Sequence, residues 1–336
     1  MLRGLCDAHV HLRDGAALAH TVAYSAMHFE HAIIMPNLNP PLCSTSQVLD
    51  YAKRVEAVSP QGFLPHFTLY GTSTTSADEV ARVADCPQII GIKIYPHAVT
   101  TGSAHGVTDI RALEPLFEAA IRHRVPILLH AEDPDPSLNP KDRERVFVQR
   151  HMDWLLGFEG LRLVIEHVST AEMVCAIRSA PQCVGATVTA HHLWHGERFP
   201  PRAPDPHQHC APPLQQERDR TALLMAAIED GHFFLGTDSA PHSLASKLQT
   251  KPPAGIFSAP VALPIYAMLF DEYGHLDALE AFAVRRAQRF YELSSGKEKE
   301  VMLLREPFCV PASYPFGSAV VVPLAAGRTL PWRVKA

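Results

Sequence analysis

Short apolar runs recur along the chain, and between them apolar positions return every three or four residues. The runs have the length and β-branched content of buried strands, and the intervals have the period of amphipathic helices. Residues 5–12 read as the first strand, and Leu18, Val22, Ala26 and Phe29 place a helix over 16–30. Residues 31–37 form the second strand, 44–58 a helix, 65–70 the third strand and 76–84 a helix. The fourth strand is 89–95, followed by a loop to 108 and a helix over 109–124 marked by Leu113, Leu116, Phe117 and Ala120. Strands five and six fall at 126–130 and 161–167, each followed by a helix, at about 140–157 and at 170–180. The seventh strand is 185–189 and the eighth 233–238; a Pro- and His-rich loop (about 191–213) and a helix (214–230) lie between them. Helical periodicity returns at 260–272 and 277–292. Residues 297–336 are irregular, with strand-like pieces such as 319–322.

Strands that alternate with helices pair in parallel through right-handed crossovers. Eight such units predict a closed α/β barrel of the (β/α)8 (TIM) type, with its site at the C-terminal strand ends. The rival is an open doubly wound sheet, but no glycine-rich phosphate loop follows the first strand. Residues 1–336 are therefore expected to be one barrel domain, with 297–336 an extension packed on it. The first strand starts near residue 5, which leaves no room before it for a large separate β-sandwich.

Composition narrows the partners more than the fold. The 336 residues carry a net charge of −5 with no basic stripe, so nucleic acid is a poor partner. No apolar run reaches membrane-spanning length, and no basic-then-apolar leader precedes the first strand, so the chain reads as cytoplasmic. Seven scattered cysteines without a C-x-x-C argue against a disulfide framework and a thiolate zinc site.

The chemistry collects where the strands end. In His9-Val10-His11, residues i and i+2 share one face of a strand, so both imidazoles can aim at one metal ion. Lys93, His130, His167 and Asp238 fall at the same end of four other strands. Imidazole and carboxylate suit zinc, with cobalt or manganese as substitutes. Four histidines and an aspartate exceed what one open catalytic ion takes, so two ions fit better. Lys93, ordinarily a cation, can join such a cluster only when neutral or converted by carbon dioxide to a bridging carboxylate. Its other reading is a salt bridge to Glu166 or Glu132.

These motifs resemble the dihydroorotases of the shorter bacterial type, in the amidohydrolase superfamily. The likeness runs from His9-Val-His-Leu-Arg-Asp14 through Met35-Pro-Asn37, Lys93-Ile-Tyr-Pro96, Leu129-His-Ala-Glu132 and Glu166-His-Val-Ser-Thr170. It continues with Cys210-Ala-Pro212 and Gly236-Thr-Asp-Ser-Ala-Pro-His242. The resemblance implies metal-dependent, reversible cyclisation of N-carbamoyl-L-aspartate to L-dihydroorotate, the third step of pyrimidine biosynthesis. It puts His9, His11 and Asp238 on one of two zinc ions and His130 and His167 on the other, with carboxylated Lys93 and a hydroxide between them. Arg13, Asn37 and His242 would bind the substrate carboxylate, the backbone of Ala211 and Ala254 would meet the ring edge, and Asp238 would carry the proton. Thr100 and Thr101 would close over the substrate from the 97–108 loop. The family also implies a homodimer.

Two alternatives remain open: a sister cyclic amidase acting on hydantoin or allantoin, and a non-catalytic partner of a carbamoyltransferase. Asp7 and Asp14 are expected to orient neighbours or cap a helix, and Glu166 to support His167. His191, His192, His195, His207 and His209 are mostly expected as loop or surface residues, with His207 a candidate to touch the substrate pocket.

Overall fold

The computed structural model describes residues 1–195, 205–294 and 299–335. Eight parallel strands form one sheet in chain order: β1 (Cys6–Val10), β2 (His31–Ile34), β3 (Leu64–Gly71), β4 (Ile89–Ile94), β5 (Ile127–Leu129), β6 (Leu163–Ile165), β7 (Val184–Val188) and β8 (Phe233–Leu235). Every residue of β1, β2, β5, β6, β7 and β8 is buried. Helices cover one face of a parallel sheet and barrel side chains fill the other, so these strands are mostly apolar and do not alternate with solvent-facing residues; the polar exceptions Asp7, His9, His31 and Thr187 are buried too.

The barrel closes where β1 meets the segment after β8. Asp238 N–H donates to the His9 carbonyl at 2.8 Å and His11 N–H to the Ser239 carbonyl at 3.1 Å. Asp7 reinforces this seam from inside: its carboxylate accepts from Thr237 N–H at 2.8 Å and the Thr237 hydroxyl at 2.6 Å. Burial pushes the Asp7 carboxyl up to about 7, against the lowering pull of these hydrogen bonds. The (β/α)8 architecture expected from the alternation is the one observed.

Helices form the outer layer, and several begin at side-chain caps. Ser44 and Gln47 make a capping box ahead of Thr45–Glu56, and Ser76 and Thr170 cap Ala77–Ala84 and Ala171–Arg178. The expected loop over 191–213 begins differently. Ala190–Trp194 is a short helix capped by the Thr189 hydroxyl, and its five residues are buried. Residues 196–204 of that loop lie outside the described residues, as does position 297, the expected start of the extension.

Residues beyond 299 form short antiparallel ladders. Leu2–Arg3 pairs with Glu300–Val301, Leu303–Leu304 with Arg333–Val334, Phe308–Cys309 with Thr329–Leu330, and Tyr314–Phe316 with Ala319–Val321. Val301, Val310, Leu324, Leu330 and Trp332 belong to the same apolar core as the barrel helices. No helix of the described residues is long and apolar enough to cross a membrane.

Candidate active site

Three donor atoms converge above the barrel seam. His9 Nε2 lies 3.3 Å from His11 Nε2, and Asp238 Oδ1 lies 3.0 Å from His11 Nε2 and 3.4 Å from His9 Nε2. The hydrogen bonds on the far side of each ring fix where the protons are. His9 Nδ1 faces Glu166 Oε2 at 2.5 Å, so Nδ1 carries the proton. His11 Nδ1 faces Asn37 Oδ1 at 2.8 Å, while Asn37 Nδ2 donates to the Thr101 carbonyl at 3.0 Å. That bond orients the Asn37 amide, so His11 Nδ1 is also a donor. Burial, outweighing Asp238, lowers His11 to about 4, and the ring is neutral at pH 7. Two imidazole lone pairs and a carboxylate oxygen therefore point at one another, an arrangement that a cation satisfies.

A second set of donors sits beside the first. His130 Nε2 donates to Glu132 Oε2 at 2.6 Å, which leaves Nδ1 as its free donor atom. The His130 and His167 rings are 4.5 Å apart, and the His9 and His167 rings 5.1 Å. His167 Nδ1 and Lys93 Nζ are buried with no hydrogen-bond partner. Burial draws Lys93 down to about 8 against the raising influence of Glu166 and Asp238. Neither salt bridge weighed for Lys93 forms: Glu132 holds His130 and Glu166 holds His9. A buried amine next to two carboxylates without a direct contact fits a group that becomes an anion between two cations.

Backbone geometry aims three of these side chains. Arg13 (φ 61°), His167 (φ 41°) and Asp238 (φ 43°) are non-glycine residues in the left-handed region, just past the ends of β1, β6 and β8. Such residues cost about 1–3 kcal/mol each and persist where the surroundings over-determine them. At His167 the surroundings are visible. Its N–H donates to Thr187 Oγ1 at 2.6 Å. The next turn is pinned by buried Glu144, which accepts from the backbone and hydroxyls of Ser169 and Thr170. The Thr187 hydroxyl donates a hydrogen bond to Glu166 Oε2 at 2.7 Å, so one hydrogen-bonded chain joins His167 to His9. Burial pushes the Glu166 carboxyl up, but His9 and Lys93 outweigh it and hold it below the ordinary glutamate range.

The substrate side is a small chamber bounded by Arg13, Asn37, Thr100, Thr101, Ala211 and Ala254 over the histidines and Asp238. Thr101 closes it: its hydroxyl donates to the Ala254 carbonyl at 3.0 Å. The free space within is about 20 Å³, room for one water. Outside the loop, a cleft of about 770 Å³ runs past Arg13, Asn37, His105 and His242. Arg13 Nε donates to the Pro241 carbonyl at 2.9 Å and Nη2 meets His242 Nε2 at 3.1 Å, which leaves Nη1 for a ligand. His242 Nε2 is also 3.1 Å from the Ala254 carbonyl. Burial, then the Arg13 charge, lower His242 to about 2. Lys247, absent from the sequence reading, braces this wall by donating to the His209 and Pro253 carbonyls at 3.1 and 3.0 Å.

The structure thus gathers His9, His11, Arg13, Asn37, Thr100, Thr101, His130, His167, Ala211, Asp238 and Ala254 around one chamber. Lys93 is buried on β4, and His242 lines the adjoining cleft. Three expectations change. Glu166 supports His9, not His167. His191, His192 and His195 are buried, because Thr189 winds the start of the expected loop into a helical turn. His207 lines a different cavity, with Trp194, Asp205 and Arg328. Asp14 caps the turn beginning at Gly15, as expected.

A closed barrel that turns unprotonated donors toward one another at its C-terminal mouth, under a loop that seals a small chamber, has the layout of the amidohydrolase class. No protein-family model matches the chain. A dihydroorotase from Nitrosococcus oceani is 41% identical over 333 residues, covering 98% of this chain and 96% of the relative. One from Methylobacillus flagellatus is 42% identical over 334 residues, covering 98% and 96%. Among solved structures, a Campylobacter jejuni dihydroorotase superposes with a TM-score of 0.88 at 32% identity, covering 100% of this chain and 97% of that one. A Saccharomyces cerevisiae dihydroorotase in complex with 5-fluoroorotic acid reaches 0.90 at 28%, covering 98% and 96%. An L-hydantoinase from Arthrobacter aurescens shares the fold at a TM-score of 0.82 and 18% identity, covering 98% and 82%. The chain belongs to the dihydroorotase family, hydrolases of a cyclic amide bond.

Proposed function

We propose that this chain interconverts N-carbamoyl-L-aspartate and L-dihydroorotate using two divalent ions, zinc in the first instance. His9, His11 and Asp238 would hold one ion, His130 and His167 the other, and Lys93, carboxylated on Nζ, both. The observation that carries this reading is the convergence of two imidazoles and a carboxylate beside a buried lysine that makes no hydrogen bond. Bound there, the ions would bring the pKa of water toward 7 and polarise the ring amide carbonyl. The depressed pKa of Lys93 favours the neutral amine, which adds to carbon dioxide with loss of one proton.

The remaining work falls to protein groups. Arg13 Nη1, with Asn37 and His242, would hold the substrate carboxylate, a feature that hydantoin and allantoin rings lack. Asp238 would take the proton of the attacking water and deliver it to the leaving ring nitrogen. In the biosynthetic direction it runs the same transfers in reverse as carbamoyl aspartate closes with loss of water. The 97–108 loop would open for the substrate and then exclude solvent, since the closed chamber is too small for the ring. A non-catalytic role finds no support, since all six expected metal-binding groups are present. The chain would serve the third step of pyrimidine biosynthesis in the cytoplasm as a homodimer, a state that sedimentation measures.

The test couples metal analysis to carbamoyl aspartate cyclisation by the purified protein. Two ions per chain and turnover are expected, and absence of turnover at two bound ions overturns the reading. Replacing Asp238→Asn should lower turnover at least 10²-fold, the usual share of general acid–base catalysis. Activity within tenfold of wild type would contradict its role.

A further inference from the structure

The described residues hold two groups of three donors able to share an ion. One is His9, His11 and Asp238. The other is His191, His192 and Cys210, all buried, with one ligand atom from each within 4.8 Å of the others. Nothing in the proposed reaction uses it. We propose that His191, His192 and Cys210 form a separate binding site for a borderline divalent cation of the zinc class, clamping the Ala211 segment to the end of β7.

His191 carries the proposal furthest. It is 0% exposed, and neither ring nitrogen has a hydrogen-bond partner. Buried imidazoles are normally paired on at least one side, so a ring with both nitrogens unmet is available to a ligand. The other two donors are nearby and differently engaged. His192 Nε2 and Cys210 Sγ both point at the Pro212 carbonyl, at 3.1 and 3.2 Å. His192 Nδ1 is 2.8 Å from the Thr189 hydroxyl, which can donate or accept. Moving the ring proton to Nδ1, toward the Thr189 oxygen, would free Nε2 for an ion. Cys210 would release its thiol proton to solvent and bind as thiolate, and the Pro212 carbonyl is placed to supply an oxygen.

The donor chemistry selects the ion. Two imidazoles and one thiolate suit zinc and its cobalt substitute and exclude calcium and magnesium, which take oxygen ligands. Tetrahedral zinc spaces its ligand atoms by roughly 3.3–3.8 Å, from bonds of about 2.0–2.3 Å. Atoms already within 4.8 Å need to close by about 1 Å. The ligands come from either side of residues 196–204, so short-range spacing rules for zinc motifs do not detect them. Bound, the ion would fix the backbone of Ala211, one wall of the reaction chamber.

Titration of the metal-free full-length protein with cobalt(II) chloride tests the site. The catalytic cluster offers only nitrogen and oxygen donors, so a thiolate-to-cobalt charge-transfer band in the near ultraviolet reports cysteine coordination, and Cys210→Ser assigns it among the seven free cysteines. We expect that band, together with a third equivalent of bound metal, and loss of both in Cys210→Ser. His191→Gln should keep the band but require at least tenfold more cobalt. A wild-type protein with no band at saturating cobalt overturns the proposal, whatever the variants do. So does a band that survives Cys210→Ser. Either result leaves the two-ion reading of the catalytic centre standing, because its donors give no such band.

Discussion

Replacing Glu166→Gln removes one buried charge and almost nothing else. Glu166 Oε2 receives His9 Nδ1–H at 2.5 Å and the Thr187 hydroxyl at 2.7 Å, and Oε1 has no partner. Glutamine keeps the shape and one acceptor for these donors, so the fold should hold. What it loses is the negative charge that makes His9 Nε2 a stronger donor and that lies near Lys93. Groups supporting a metal-bound imidazole are worth 10- to 100-fold in metal affinity, or about 1.4–2.8 kcal/mol. The upper half of that range is expected, because the carboxylate is fully buried and salt does not screen it. Chelator competition measures the affinity, and turnover at saturating metal separates affinity from chemistry. Glu166→Ala should do worse, since it leaves two buried donors unmet at about 1–3 kcal/mol each and should lower the melting temperature as well. Metal affinity within twofold of wild type in Glu166→Gln would refute the assignment of Glu166 to His9.

Thr101→Ala removes the latch on Ala254, so the 97–108 loop should be cut faster by protease. With Thr100→Ala added, turnover should fall while metal content stays unchanged; unaltered kinetics would end the lid idea. Lys93 bears on stability in the metal-free protein. Its folded pKa of about 8 lies below the ordinary value of 10.5, so between those pH values the unfolded chain binds more protons and stability rises with pH. The rise is about 3 kcal/mol across the window, and urea denaturation in bicarbonate-free buffer should show it absent from Lys93→Met. Arg13→Lys loses the planar fork that Pro241 and His242 orient. It should raise KM for carbamoyl aspartate at least tenfold with a smaller change in kcat, and equal losses in both would point to disrupted metal binding instead.

The barrel and the cluster of candidate donors at its mouth were legible because both rest on short-range periodicity. A strand places i and i+2 on one face, so His9 and His11 had to act together, and eight apolar runs had to end at one mouth. The same rule could have paired His130 with Glu132, two residues apart on one chain direction. What periodicity does not carry is contact across the barrel. Glu166 reaches His9 over a separation of 157 residues, so its sequence neighbour His167 was a misleading partner. Backbone sign is equally silent: glycine announces a left-handed residue, whereas Arg13, His167 and Asp238 adopt one because tertiary bonds force it. At His191 and His192 the Pro-rich composition downstream hid a local signal, Thr189 as an N-cap.

The seam between β1 and β8 has a consequence in time. His11 and Asp238, 227 residues apart, meet only there. At ribosomal rates of about 5–20 residues per second, roughly 11–45 seconds separate their synthesis. Through that interval the first strand has neither its ring-closing neighbour nor Asp238, and the His9–His11 pair lacks its carboxylate. The three-donor cluster of His9, His11 and Asp238 is thereby complete only once nearly the whole barrel exists.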